Sequence, residues 1–188
     1  MSMKQNQKTG TSLSCMTMGL CCIMGLCLVF AAASGCGRGN DRRYFCRDAR
    51  FSISFPGTWK TWENLKGTRI LAEIPDEEGV AVIRQNVNVV VDELQKPVSL
   101  EEYIEQQKNG LRRLRGVRII AAGETTIDGS PAGWLTYSYT IHDFGYQAQV
   151  YVLSRDRRYY VITGLCQINA FHKYEERFHS IARSFRFE

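Results

Sequence analysis

Residues 118–165 read RIIAAGETTI-DG-SPAGWLTYSYTI-HDFG-YQAQVYVL-SRDR-RYYVITGL, and this stretch decides the fold. It contains four runs of alternating apolar, aromatic and β-branched residues, separated by short polar segments of which Asp128-Gly129 is a tight-turn signal. No helical segment lies between the runs. Neighbouring runs are therefore expected to be strands that pair antiparallel.

Two helices and further strands are predicted on either side of this stretch. Ser99 and Glu102 have the spacing of a capping box, in which the Ser99 hydroxyl accepts from the Glu102 amide, and Gly116 is a stop signal. A second helix is expected to begin at Asn169. The other strands are predicted at 51–55, 69–74, 86–94 and 184–187. The sequence thus predicts an α+β fold with one antiparallel sheet.

The N-terminus has the composition of an export signal. Lys4 and Lys8 precede a run of apolar and small residues at 13–33, which ends in Ser34-Gly35-Cys36. Its most apolar part is about 15 residues long, which is typical of a signal-peptide core and short for a spanning helix. The small residues before Cys36 resemble a bacterial lipobox, with Ala33 at the position where Leu is preferred. A plain secretory signal cut near Ala33 and an uncleaved anchor are the alternatives.

These features predict three parts: a lipoprotein signal peptide (1–35), a lipidated Cys36 with a polar tether (36–47) and a folded domain (48–188). The domain is expected outside the cytoplasm, held by membrane lipid at the cell membrane or the outer membrane. Loss of residues 1–35 removes two lysines and no acidic residue, so the net charge falls from +5 to +3. A mildly basic exported domain argues against nucleic acid as a partner.

Two of the seven cysteines lie in the predicted domain or its tether after Cys36, at Cys46 and Cys166. An even pair in an oxidising compartment predicts a disulfide. The alternative is two unrelated thiols, one of them buried at a strand end.

Several short motifs occur in a particular order. They are F-x-x-x-F-P-x-x-W from Phe51, N-V-N-V-V from Asn86, S-L-E-E-Y from Ser99, I-D-G-S-P-A from Ile127 and S-F-R-F from Ser184. Together with the lipobox, this order resembles the PsbP/DcrB-like group of small exported bacterial proteins, over nearly all of 51–188. The resemblance implies an α/β/α sandwich, a central antiparallel sheet flanked by helices. It also implies a binding role: photosynthetic members bind photosystem II, others are envelope lipoproteins, some linked to phage adsorption, and most have no assigned activity.

Arginines form the candidate binding residues, in two groups. The group that surrounds the end of the first helix consists of Arg112, Arg113, Arg115 and Arg118. The group that fills a predicted turn consists of Arg155, Arg157 and Arg158. Cations favour a helix C-terminus, and a charged turn is commonly a solvated one. The functional interpretation is a site for anionic lipid headgroups, acidic glycan or an acidic protein surface.

Catalytic and metal sites are not predicted. His172 and His179 are two helical turns apart, about 10 Å along the axis, too far for one ion. No nucleophile elbow, zincin motif or phosphate loop occurs. No cofactor is therefore expected, and the protein is not expected to be an enzyme. Tyrosines and Trp134 in the paired strands are expected mostly in the core, with some left to line a groove.

The predicted function is that of a membrane-anchored envelope lipoprotein, a non-catalytic binding or structural module that docks on a membrane or an envelope protein complex. The alternative is a carrier or sensor of a small amphiphilic or anionic ligand.

Overall fold

The structure is a computed structural model and describes residues 41–75 and 84–188. The predicted signal peptide and Cys36 lie outside the described residues. The elements in chain order are β1 (Arg42–Cys46), β2 (Phe51–Phe55), β3 (Lys60–Glu63), β4 (Ile70–Glu73), β5 (Asn86–Glu93), α1 (Leu100–Arg112), β6 (Arg118–Ile127), β7 (Ser130–Ile141), β8 (Phe144–Arg155), β9 (Arg158–Gln167), α2 (Phe171–Arg183) and β10 (Arg186–Phe187).

The strands form two antiparallel sheets. The larger has seven strands in the order β3-β4-β5-β9-β8-β7-β6, and the smaller has the order β1-β2-β10. The four strands predicted from residues 118–165 pair in sequence as expected. Their turns contain residues with positive φ, including Asp128 (53°), Gly129 (69°) and Asp156 (59°), the conformation that tight hairpin turns need.

Each helix packs against a different face of the seven-stranded sheet, over a glycine. A Cβ atom on Gly133 would lie 2.1 Å from Cδ1 of Ile104 in α1, and one on Gly164 would lie 2.4 Å from the Phe178 ring in α2. Close approach of helix to sheet therefore requires glycine at both positions. The smaller sheet shares the α2 core, where Phe51 of β2 stacks on Phe185 with ring centroids 5.4 Å apart.

The helix ends show one expectation met and one missed. The Ser99 hydroxyl accepts from the Glu102 amide at 3.0 Å and caps α1 as predicted. Asn169 does not cap α2, because it lies inside a 3₁₀ turn (Ile168–Ala170) and the capping residue is Ala170.

Two further expectations need correction. The prediction was one sheet, whereas the described residues form two, and Arg42–Cys46, assigned to the tether, is the edge strand β1. The architecture is mostly sheet, with one 13-residue helix on each face of the larger sheet. Antiparallel sheets with two helices describe it. The predicted helix-flanked sandwich is not confirmed, because the three-stranded sheet as well as α2 packs on one face of the larger sheet.

Candidate functional site

The two groups of arginines lie at opposite ends of the seven-stranded sheet. Arg118 is level with Ser138 of β7, which is level with Gln147 of β8, and Arg155 is eight positions further along β8. At about 3.4 Å per residue, this places the two groups roughly 27 Å apart. They cannot form one binding site.

At the β8–β9 turn, two of the predicted guanidinium groups already hold other parts of the fold together. Arg157 donates from Nε to the carbonyl of Leu94 and from Nη2 to that of Gln95, each at 3.1 Å. Arg158 donates to Glu93 at 3.2 Å and to the Asp48 carbonyl at 3.1 Å. The hydrogen bond to Glu93 raises the pKa of Arg158. These contacts connect the turn to the end of β5 and to the β1–β2 turn.

A polar cavity of about 300 Å³ opens beside this turn. Its charges nearly balance, since four arginines and three carboxylates line it together with one tyrosine: Arg50, Arg155, Arg157, Arg158, Glu93, Asp156, Glu188 and Tyr160. The Arg155 guanidinium stacks on Phe187, with Cζ 3.8 Å from the ring centroid. The cavity is better suited to a small polar ligand than to a polyanion.

An apolar cavity of about 420 Å³ adjoins the polar one at Glu188. It is lined also by Phe45, Cys46, Arg47 and Phe51. Phe45 is 58% exposed, more than the other large apolar side chains that the structure leaves exposed.

At the α1–β6 junction, the arginines are mostly unpaired. Arg112 contacts Glu105 at 3.8 Å and donates to Asn109 at 2.9 Å. Arg113, Arg115 and Arg118 are exposed, and none has an ion pair or side-chain hydrogen bond with any residue that the structure describes. This group therefore presents free positive charge to solvent.

Strand β6, which begins in this basic group, is an open edge of the seven-stranded sheet. Its ten residues include only two charged side chains, Arg118 and Glu124, and no proline. Ile120 is 49% exposed at an irregularity in the pairing with β7. Exposed edges are usually protected by charge or proline, so this edge is open to an added strand. Sequence reasoning missed it because strand order in a sheet is a non-local property.

The cysteines differ from the prediction. Cys46 and Cys166 are both buried and both free, so the structure contains no disulfide between them. They belong to different sheets and act as small apolar side chains in the core that the two sheets share. Burial raises the pKa of the Cys166 thiol to about 12, which keeps it protonated and unreactive.

The histidines do not converge with other metal-binding side chains: the described residues contain no group of three His, Cys, Asp or Glu that could hold a metal ion. His179 instead contacts the hydroxyl of Tyr151 through Nδ1. Next to it, Thr136 donates to Gln149 at 2.6 Å in the interior. Burial raises the pKa of Tyr151. Sequence reasoning missed this polar network between α2 and the sheet, because polar side chains on strands carry no sign of which helix covers them.

Most of the predicted aromatic residues are in the core, as expected. Tyr151, Tyr159 and Tyr160 are each at most 3% exposed, and Trp134 is half-buried over Gly123. The Tyr159 hydroxyl donates to the Val98 carbonyl at 2.5 Å and accepts from its amide at 2.9 Å. These rings stabilise the fold and do not form a groove. Neither α1 nor α2 is long and apolar enough to span a membrane, and the described residues include no other candidate helix.

Solved structures of three bacterial proteins share this fold. The cyanobacterial PsbP protein CyanoP of Synechocystis sp. PCC 6803 is 14% identical, with 84% of this chain and 98% of that one covered and a TM-score of 0.56. The Pseudomonas aeruginosa protein PA94, described as a putative regulator, is 14% identical, with 78% of this chain and 96% of that one covered and a TM-score of 0.55. LpqN of Mycobacterium tuberculosis, described as involved in cell envelope biogenesis, is 11% identical, with 79% of this chain and 91% of that one covered and a TM-score of 0.61. At these identities the likeness concerns the fold alone. A search of curated proteins found no significant match.

The sequence itself gives the family. A family model for PsbP-like proteins matches residues 38–187, which include every strand and both helices described above. The motif order and the antiparallel architecture agree with that match. The chain belongs to the PsbP-like protein family.

Proposed function

We propose that this protein is an exported lipoprotein, anchored through lipid on Cys36, whose domain is a non-catalytic module that docks on an envelope protein complex. The N-terminal sequence supports the anchor, and the envelope role described for LpqN, a protein of similar fold, supports the location. The proposal assigns no reaction to the domain.

The difference between the two arginine groups carries this proposal. At the β8–β9 turn, Arg157 and Arg158 are occupied by carbonyl and carboxylate oxygens of the same domain. At the α1–β6 junction, Arg113, Arg115 and Arg118 have no such partners among the described residues. A partner that binds these free arginines does not have to break existing ion pairs. The group at the α1–β6 junction is therefore the better docking surface.

The open edge beside these arginines indicates the form of the partner. An extended segment paired with β6 would satisfy the free backbone groups of the edge strand. Acidic side chains on that segment would then meet Arg113, Arg115 and Arg118. We therefore expect an extended acidic segment of an envelope protein.

Photo-crosslinking in intact cells tests this docking. We replace Ile120 with p-benzoyl-phenylalanine and, as the control, Thr61, which is exposed on β3 at the opposite edge of the same sheet. The expected result is a protein adduct at Ile120, mapped by mass spectrometry to an acidic segment, and lost in an R113E/R115E/R118E background. An adduct that maps to a non-acidic segment, or that persists in the charge-reversed background, contradicts the proposal.

The alternative function, a carrier or sensor of a small amphiphilic or anionic ligand, is favoured by a separate observation. The polar cavity of about 300 Å³ and the apolar cavity of about 420 Å³ meet at Glu188, and together they offer both environments that an amphiphile needs. Native mass spectrometry of protein extracted from its own membrane tests this alternative. A retained small molecule, displaced in a Phe45→Asp variant, would support it.

A further inference from the structure

The three-stranded sheet has an outward face that combines a large exposed aromatic residue with cations. On β2, Phe51 and its alternating partners face the core, so the residues between them face outward. Phe45 and Arg186 are both level with Ser52, which lies on this side of β2 but is fully buried beneath Arg43 and Glu188. We call the group of Arg43, Phe45, Arg47, Ser52, Arg186 and Glu188 the outer face.

The charges of the outer face are arranged around Phe45. Arg43 donates to the Ser52 hydroxyl at 2.8 Å, and that hydroxyl donates to Glu188 at 2.5 Å. Arg186 is 3.5 Å from Asp128 and is partly neutralised by it. Arg47 has no ion pair with any described residue. Arg43 uses one N–H group on the neutral Ser52, and neither Arg43 nor Arg47 pairs with a described carboxylate, so both keep an uncompensated positive charge on the outer face.

The length of chain before β1 limits where this face can lie. Phe45 is nine residues after Cys36. A fully extended chain of nine residues spans at most about 30 Å. A lipid on Cys36 would therefore keep the outer face within about 30 Å of the bilayer. At that distance the outer face meets the membrane surface at a high effective concentration.

We propose that the outer face lies on the anionic headgroups of the membrane that holds the Cys36 lipid. Phe45 enters the interfacial layer, and Arg43 and Arg47 contact lipid phosphates. Phenylalanine is among the apolar residues that enter the boundary between headgroups and acyl chains, and basic residues near a membrane surface are attracted to anionic lipid. This inference rests on the proposed lipid anchor but not on the proposed protein partner, which binds a different sheet.

Crosslinking from Phe45 tests the inference in the full chain within its native membrane. We replace Phe45 with p-benzoyl-phenylalanine and, as the control, Phe144, which is 40% exposed at the β7–β8 turn. The expected result is an adduct with anionic phospholipid at Phe45 and none at Phe144. The intact mass of the same sample reports whether Cys36 carries lipid, so failure of the anchor is distinguished from failure of this inference.

Charge variants give a second, quantitative test. Each basic residue near an anionic membrane contributes about 1 kcal/mol, so R43Q/R47Q is expected to lower the docking equilibrium constant about thirtyfold. Measured as the phospholipid adduct at Phe45, the yield should fall in R43Q/R47Q and stay unchanged in R43K/R47K, which keeps both charges. Adducts with protein or with a small soluble amphiphile, no adduct at all in a lipidated sample, or a yield insensitive to R43Q/R47Q would each overturn the inference.

Discussion

Substitution of Gly164 by alanine tests the packing of α2 on the sheet. Gly164 is on β9, where Val87 of β5 is level with it on one side and Gln149 of β8 on the other. A methyl group there would lie 2.4, 2.7 and 2.8 Å from three atoms of the Phe178 ring. Ordinary contact begins near 3.4 Å, so ring and strand must separate by about 1 Å.

The surroundings of Phe178 leave little room for that movement. The side chain is 2% exposed and packs against Phe171 and Tyr174, with ring centroids 6.3 Å away in each case. Overpacking of a well-packed core costs about 1–3 kcal/mol. Replacing glycine in a strand recovers about 0.5–1 kcal/mol through the unfolded chain. We therefore expect Gly164→Ala to lower the free energy of unfolding by about 1 kcal/mol and Tm by roughly 3 °C.

Gly110 provides a matched control because it lies inside the exposed part of α1. A Cβ atom there would have no heavy atom within 4 Å. Gly110→Ala should raise the free energy of unfolding by about 0.5–1 kcal/mol, because alanine favours helix. Urea titrations followed by circular dichroism measure both variants, with m-values expected to match the parent. Equal or greater stability of Gly164→Ala would show that α2 does not pack over this glycine.

Three other measurements address the core and the arginine groups. Since burial raises the pKa of Cys166 from 9.0 to about 12, the folded state holds this proton more tightly than the unfolded chain does. That stabilisation is complete below about pH 9 and is lost as the pH rises through about 12. Cys166→Ala should therefore reduce the decline of the free energy of unfolding between these pH values. An unchanged decline in the variant would contradict the burial of this thiol. Tyr159→Phe removes both hydrogen bonds to Val98 and should lower the free energy of unfolding by about 1–3 kcal/mol, measured by urea titration; a neutral effect would mean that water replaces the hydroxyl. Arg157→Gln should lower the free energy of unfolding by about 1 kcal/mol and leave the Ile120 crosslink intact. Arg115→Gln should weaken the crosslink without changing the free energy of unfolding. The reverse pattern would refute the assignment of the two arginine groups.

The strands of the larger sheet could be predicted because their signals are local. The alternation in residues 118–165 gives the half-buried strands, and Asp128-Gly129 gives a turn whose positive φ angles few other residue pairs adopt. The cap at Ser99 is equally local, since its hydrogen bond joins the Ser99 hydroxyl to the amide of Glu102, only three residues later. Each of these features is decided within about ten residues of chain.

The smaller sheet could not be predicted because its pairing is distant in sequence. Residues 42–46 read RRYFC, which has the polar start of a tether. Only Tyr44 and Cys46 face the shared core, and β10, which completes the sheet, joins β2 from the other end of the domain. A five-residue strand with three exposed positions gives too weak an alternation to be recognised alone.

The arginine groups show the same limit for the candidate site. Both groups have similar sequences, Arg-Arg-Leu-Arg at 112–115 and Arg-Asp-Arg-Arg at 155–158. What separates them is the position of acceptors: Arg157 finds the carbonyl oxygens of Leu94 and Gln95, more than sixty residues earlier. Charge can be read from sequence, whereas the satisfaction of that charge depends on which loops the fold brings together.

The positions of the two proposed surfaces are mutually consistent. The outer face is at the end of the larger sheet where β10 lies, since the amide of Phe187 donates to Asp128 in the β6–β7 turn at 2.9 Å. Arg118 is at the other end of β6, ten residues away. A domain resting on the membrane through Phe45 would therefore hold the α1–β6 junction roughly 30 Å from the outer face, by the length of β6. The two surfaces are thus separated by more than the roughly 10 Å over which charges are screened, so the outer face can contact lipid while the α1–β6 junction binds an acidic partner.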